Sequence, residues 1–260
     1  MNTLNQGLVI HQNTETQDFS IELEFGKIKI LSAPAPIDDR VNQDACGARL
    51  FNNMLLLCLA DGMGGHKKGE EAAHIVMDEL IFNWKPNEVP NLEKVLDRIE
   101  NAHNQIKDLK SRSGSTAVVA IVEYDKVRFI NVGDSTGYIF SSQKNLKFKT
   151  IEQSPTGFAV EAGILEEEEA MIHEESHYLL NSLGFDPLRI ELSNTLELSS
   201  KDLILLASDG LTSNILQEDF AELLTQRADS TPLQSISTKA REKMLKDGHP
   251  DDLSLILFYQ

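Results

Sequence analysis

The sequence predicts an α+β fold built on antiparallel sheets. Strand-like apolar runs follow one another directly, as at 117–122 and 127–132, and the long helical patterns come in pairs. A parallel sheet needs helices alternating singly with strands, and that βαβα rhythm is missing.

The elements follow from local pattern. Residues 1–18 are polar and without period, which predicts a loose or edge-packed terminus. Ile21, Leu23 and Phe25 alternate with Glu22 and Glu24, the mark of a half-buried strand, and 27–31 form its hairpin partner across Gly26. Pro34 and Pro36 interrupt regular structure, and 54–60 is a continuous apolar strand. A helix then starts near Gly69, with Ala72, Ala73, Val76, Met77, Leu80, Ile81 and Trp84 on one face and Glu70 and Glu71 suiting its N-terminal dipole. Pro86 and Pro90 end it, and a second helix carries Leu92, Val95, Leu96, Ile99, Ile106 and Leu109. The hairpin 117–122/127–132 turns at Tyr124-Asp125-Lys126 and leads to a strand at 137–141. Residues 153–200, with an acidic run at 166–169, read as an irregular, partly mobile flap. The strand 203–207, helices at 218–226 and 232–246, and a last strand at 253–258 complete the chain.

At 260 residues, 41% hydrophobic and 25% charged, the chain is expected to form one domain spanning 1–260. No apolar run approaches the roughly 20 residues that span a bilayer, and residues 1–5 lack a basic-then-apolar leader, so a cytoplasmic protein is expected. Cys46 and Cys58 give no disulfide framework. The net charge of −17 argues against nucleic acid or an anionic membrane as main partner.

The informative stretch is Asp61-Gly62-Met63-Gly64-Gly65, which puts a carboxylate at a strand tip where backbone carbonyls can also approach a cation. Hard divalent ions take carboxylate, carbonyl and water oxygens. Asp44, Asp209 and Asp251-Asp252 share this setting between an apolar strand and a polar turn, although an isolated Asp-Gly is usually just a turn.

These pieces resemble the metal-dependent serine/threonine protein phosphatases of the PPM, or protein phosphatase 2C-like, type. Asn42-Gln43-Asp44, Asp61-Gly62-Met63-Gly64-Gly65, Ser113-Gly114-Ser115-Thr116, Gly133-Asp134-Ser135, Ser208-Asp209-Gly210 and Asp251-Asp252-Leu253-Ser254 occur in family order. The resemblance implies a four-layer α-β-β-α sandwich, two antiparallel sheets with a pair of helices outside each. It implies two Mg²⁺ or Mn²⁺ ions bridged by Asp61 and completed by the Gly62 carbonyl, Asp44, Asp209 and Asp251, with Asp134 resembling the ligand of a third ion. Water activated between the ions would attack a phosphoserine or phosphothreonine ester on a protein, opposing a serine/threonine kinase, and the molecule is expected to be a monomer. Arg40 corresponds to the phosphate-gripping arginine but stands four residues before Asp44 rather than five, where Asp39 lies; Gln43 replaces a frequent Glu, Met63 a His common in eukaryotic members, and Asp252 a common Asn. The chain resembles the bacterial branch.

Other readings compete. His173-Glu174-Glu175-Ser176-His177 spells the His-Glu-x-x-His of zinc metalloproteases, which requires a helix to bring both histidines to one face. Gly62-Met63-Gly64 lacks the third glycine of a dinucleotide loop, Lys67 taking its place. A catalytically weak fold that binds phosphoproteins is a further alternative. His66, close to the glycine loop, is a candidate proton-transfer group, whereas His74 reads as a surface or capping group.

Overall fold

The computed structural model describes residues 3–37, 41–52, 54–64, 68–85, 88–225 and 232–260. Two antiparallel sheets stack face to face. The first runs β1 (Leu8–His11), β4 (Asp44–Phe51), β5 (Met54–Met63), β7 (Ala117–Glu123), β8 (Lys126–Val132) and β11 (Glu191–Leu192); β6 (Gly114–Ser115) pairs with β5, and β12 (Leu196–Glu197) with β8. The second runs β10 (Leu146–Lys149), β9 (Thr136–Phe140), β13 (Leu203–Ala207), β14 (Leu253–Tyr259), β3 (Gly26–Ala33) and β2 (Gln17–Leu23).

Helices cover both outer faces, giving the four layers. β5 is apolar on both faces because both are covered: Leu55, Leu57 and Leu59 enter the core between the sheets, while Leu56, Cys58 and Ala60 face α1 (Lys68–Met77) and α2 (Leu92–Asp108). Each such leucine contributes about 1.5–3 kcal/mol by leaving water. Asn91 starts α2 by accepting the Lys94 N–H at 2.9 Å. On the other side, Phe220 of α6 (Gln217–Thr225) and Ile236 and Ala240 of α7 (Pro232–Lys246) pack on Leu205, Leu255 and Leu257. Among the described residues no helix is long and apolar enough to cross a membrane.

The structure refines two expectations. The polar N-terminus is edge-packed rather than loose: Leu4 is fully buried between the sheets and β1 pairs with β4. The 153–200 segment is more ordered than an irregular flap, because it contains α3 (Pro155–Glu161) and α4 (Glu167–Met171), and because β11 and β12 pair with β8. The strand after the β7–β8 hairpin crosses to the second sheet, where β9 pairs with β13.

Candidate active site

Register brings the aspartates to one end of the sandwich. Asp44 opens β4 and lies directly opposite Asp61 near the end of β5. In the second sheet Ala207 pairs with both Thr136 and Leu255. Asp209 stands two residues beyond Ala207, at the start of α5 (Asp209–Thr212), Asp134 stands two before Thr136, and Asp251 two before Leu253. Five carboxylates scattered along the chain thus meet at neighbouring strand ends.

Close backbone contacts explain two of the glycines. A Cβ on Gly62 would lie 2.0 Å from the Gly69 carbonyl oxygen, and one on Gly69 would lie 2.5 Å from the Gly62 oxygen, so the β5 tip meets the start of α1 only as a glycine pair. A Cβ on Gly210 would lie 2.0 Å from the Asp252 carbonyl oxygen, which is why glycine follows Asp209.

Buried hydroxyls and amides hold the acids in place. The Asp61 N–H donates to Thr116 Oγ1 (2.9 Å), which shares a 2.7 Å hydrogen bond with Ser135 Oγ, and the Thr116 N–H donates to the Asp61 carbonyl (2.9 Å). The Asp44 N–H donates to Asn42 Oδ1 (2.8 Å), and Asn42 Nδ2 donates to Ser32 Oγ (2.8 Å) and Asn13 Oδ1 (3.2 Å). Ser32 Oγ in turn lies 2.9 Å from Ser254 Oγ. Thr116, Ser135, Asn42, Ser208 and Ser254 lie inside the motifs, so their small polar character was a signal; Asn13 and Ser32 carried none.

The electrostatics are one-sided. Burial, then the charges of Asp252 and Asp251, push the Asp44 carboxyl well above the ordinary range, against hydrogen bonds from Ser208 and Ser254. Burial, then Asp209, Asp44, Asp251 and Asp134, do the same to Asp61, and burial, then Asp251, Asp134 and Asp44, to Asp209. Asp134 is pushed up to about 7 by burial and Glu152. Asp44 Oδ2 and Asp209 Oδ1 are buried and take part in no hydrogen bond among the described residues. Hard, uncompensated oxygen donors of this kind fit a divalent cation. Among the described residues no three His, Cys, Asp or Glu side chains are grouped closely enough to hold a metal ion by themselves.

Other sequence candidates fall elsewhere. Arg40 and His66 lie outside the described residues. His74 stacks on His11 (ring centroids 4.4 Å) and lies 3.5 Å from Asp78, a packing role. The metalloprotease reading is overturned: residues 173–177 are turn and bend rather than helix, and His173 Nδ1 accepts the Glu175 N–H at 3.2 Å.

Sandwich and acid cluster together define a protein phosphatase. The protein phosphatase 2C family model matches residues 37–246. The serine/threonine phosphatase stp of Listeria monocytogenes serotype 4b is 29% identical over 219 residues, covering 79% of this chain and 84% of that protein. Protein phosphatase PhpP of Streptococcus pneumoniae serotype 2 is 28% identical over 181 residues, covering 65% and 72%. The solved S. agalactiae serine/threonine phosphatase superposes with a TM-score of 0.78 at 28% identity, covering 90% of this chain and 99% of that one. The PstP catalytic domain, solved in complex with two manganese ions, shares the fold (TM-score 0.70, 22% identity, 89% and 96% covered). The chain belongs to the protein phosphatase 2C family and is a serine/threonine protein phosphatase of the bacterial type.

Proposed function

We propose that this chain hydrolyses phosphoserine and phosphothreonine esters on proteins with the help of a Mg²⁺ or Mn²⁺ pair held by Asp44, Asp61, the Gly62 carbonyl, Asp209 and Asp251, with Asp134 available to a third ion. The observation that carries the reading is the buried acid cluster, whose members raise one another's proton affinity and leave Asp44 Oδ2 and Asp209 Oδ1 unpartnered. When bound, such a pair supplies positive charge against the phosphoryl oxygens and a nucleophile from water near neutral pH. The chain's own residues hold and orient. Thr116 and Ser135 fix the backbone at Asp61, and Asn42, Ser208 and Ser254 fix Asp44. Arg40 is assigned to the substrate phosphate, as a guanidinium is suited to bidentate binding. The substrate is the product of a serine/threonine kinase, so a cognate kinase acts upstream, and the enzyme works in the cytoplasm as a single-domain monomer.

The test is hydrolysis of p-nitrophenyl phosphate and of a phosphothreonine peptide, with Mn²⁺ and with chelator, beside thermal unfolding. Turnover that requires Mn²⁺ or Mg²⁺, and a melting temperature that climbs with Mn²⁺, are expected; at a hundredfold excess over Kd the gain is about 2.7 kcal/mol. Full turnover in chelator would remove the metal reading.

A further inference from the structure

Asp252 follows the proposed ligand Asp251, yet its carboxylate does other work. It is 3% exposed, and both of its oxygens accept backbone N–H groups: Oδ1 from Ala35 at 2.7 Å and Oδ2 from Gln43 at 2.8 Å. Those amides stand at the two ends of one short segment. Ala35 follows β3 of the second sheet, and Gln43 directly precedes Asp44 at the start of β4 in the first. One buried side chain therefore closes the connection between the sheets like a clasp, with Arg40 in the stretch it encloses.

The surroundings extend the clasp toward the acids. The Gln43 carbonyl accepts the Gly62 N–H at 3.2 Å, Asn42 donates to the Asn13 carbonyl at 3.1 Å, and on the Ala35 side Arg241 of α7 donates to the Pro34 carbonyl. A carboxylate is the only short side chain that serves this geometry. Asparagine of the same shape has one acceptor oxygen, and its NH₂ would meet the second N–H donor to donor. Hydrogen bonds to a charged acceptor are also about twice as strong as neutral ones.

We propose that Asp252 is a positioning residue: it fixes both ends of the segment that carries Arg40, requires a carboxylate to do so, and thereby sets how tightly the substrate phosphate is held. The last clause rests on the proposed phosphatase reaction; the clasp itself does not.

The experiment compares wild type with Asp252→Asn by amide hydrogen exchange in the metal-free state, by Mn²⁺ affinity from calorimetry, and by KM and kcat on a phosphothreonine peptide. Exchange at Ala35 and Gln43 is expected to speed up about tenfold or more, the scale of losing a hydrogen bond to a charged group. With Mn²⁺ saturating for each protein, KM rises about fivefold or more while kcat stays within about twofold, the pattern of lost uniform substrate binding. Unchanged exchange at both amides overturns the clasp. Faster exchange with wild-type KM, or a fall in kcat with KM held, overturns the link to phosphate. If wild type itself turns over no phosphopeptide, the proposed function fails while the exchange result still decides the clasp. Ala35→Pro covers the case in which Asp252→Asn does not fold. It deletes one donor, leaves the carboxylate intact and suits a residue that already precedes a proline, and it must reproduce the rise in KM.

Discussion

Asp44 and Asp61 are direct partners across the β4–β5 ladder, so two carboxylates of the same sign face each other at the mouth of the sandwich. Like charges opposite one another destabilise a ladder, and burial together with Asp209 adds to the strain at Asp61. Asp61→Asn is therefore expected to raise the melting temperature of the metal-free protein, while lowering kcat by about a hundredfold or more. Thermal unfolding in chelator and steady-state kinetics with Mn²⁺ read the two effects. A variant of unchanged activity would take Asp61 out of the site.

The same cluster sets a pH dependence. Asp134 ionises near 3.8 when unfolded but at about 7 in the fold. Above that value the folded state bears the full penalty of the ionised group. As pH falls through about 7, the folded state takes up protons that the unfolded chain does not, and stability rises. Asp44, Asp61 and Asp209 shift in the same direction. His11 opposes them at lower pH: burial and His74 lower its pKa, so below about 6.5 the unfolded state binds the extra proton. The metal-free protein is expected to melt higher at about pH 6.5 than at about pH 8, and saturating Mn²⁺ to abolish the difference. A metal-free melting temperature at about pH 6.5 equal to or below that at about pH 8 would contradict the assignment.

Arg40 has a distinct signature. Assigned to the substrate phosphate and to no metal, Arg40→Ala is expected to raise KM for a phosphothreonine peptide about tenfold, the scale of a lost charge-assisted contact. Mn²⁺ affinity by calorimetry should not move. An unchanged KM would free Arg40 from that role.

Asp44, Asp61, Asp209 and Asp251 were legible because each lies between an apolar strand and a polar turn and the four are spread along the chain, whereas Asp134 was legible only through the family resemblance. Paired helices and adjacent strands pointed to antiparallel sheets, since β5 and its neighbours have strong period or continuous apolar runs, whereas the four layers came with the family resemblance. What stayed hidden depends on contacts between distant segments. Nothing local marks Gly69 as the partner of Gly62, or Asn13 and Ser32 as props for Asn42. β11 and β12 span two residues each, too few to show alternation, so their pairing with β8 could not be read from 153–200. Leu4 is a single apolar residue in a polar terminus, and its full burial depends on the two sheets closing over it.

Thr116 offers the sharpest test of how the site is held. Its hydroxyl, 1% exposed as a residue, accepts the Asp61 N–H and hydrogen-bonds Ser135 in the same interior. Thr116→Val keeps the shape and removes the hydroxyl, leaving the Asp61 amide and the Ser135 hydroxyl short of a partner; the cost is about 1–3 kcal/mol. Loosened at its backbone, Asp61 should also hold Mn²⁺ more weakly, by about tenfold. Thr116→Ser restores the oxygen while giving up a methyl, so it should recover most of the metal affinity but only part of the stability. If valine and serine lower Mn²⁺ affinity equally, packing of the methyl rather than the hydrogen bond to Asp61 governs the site.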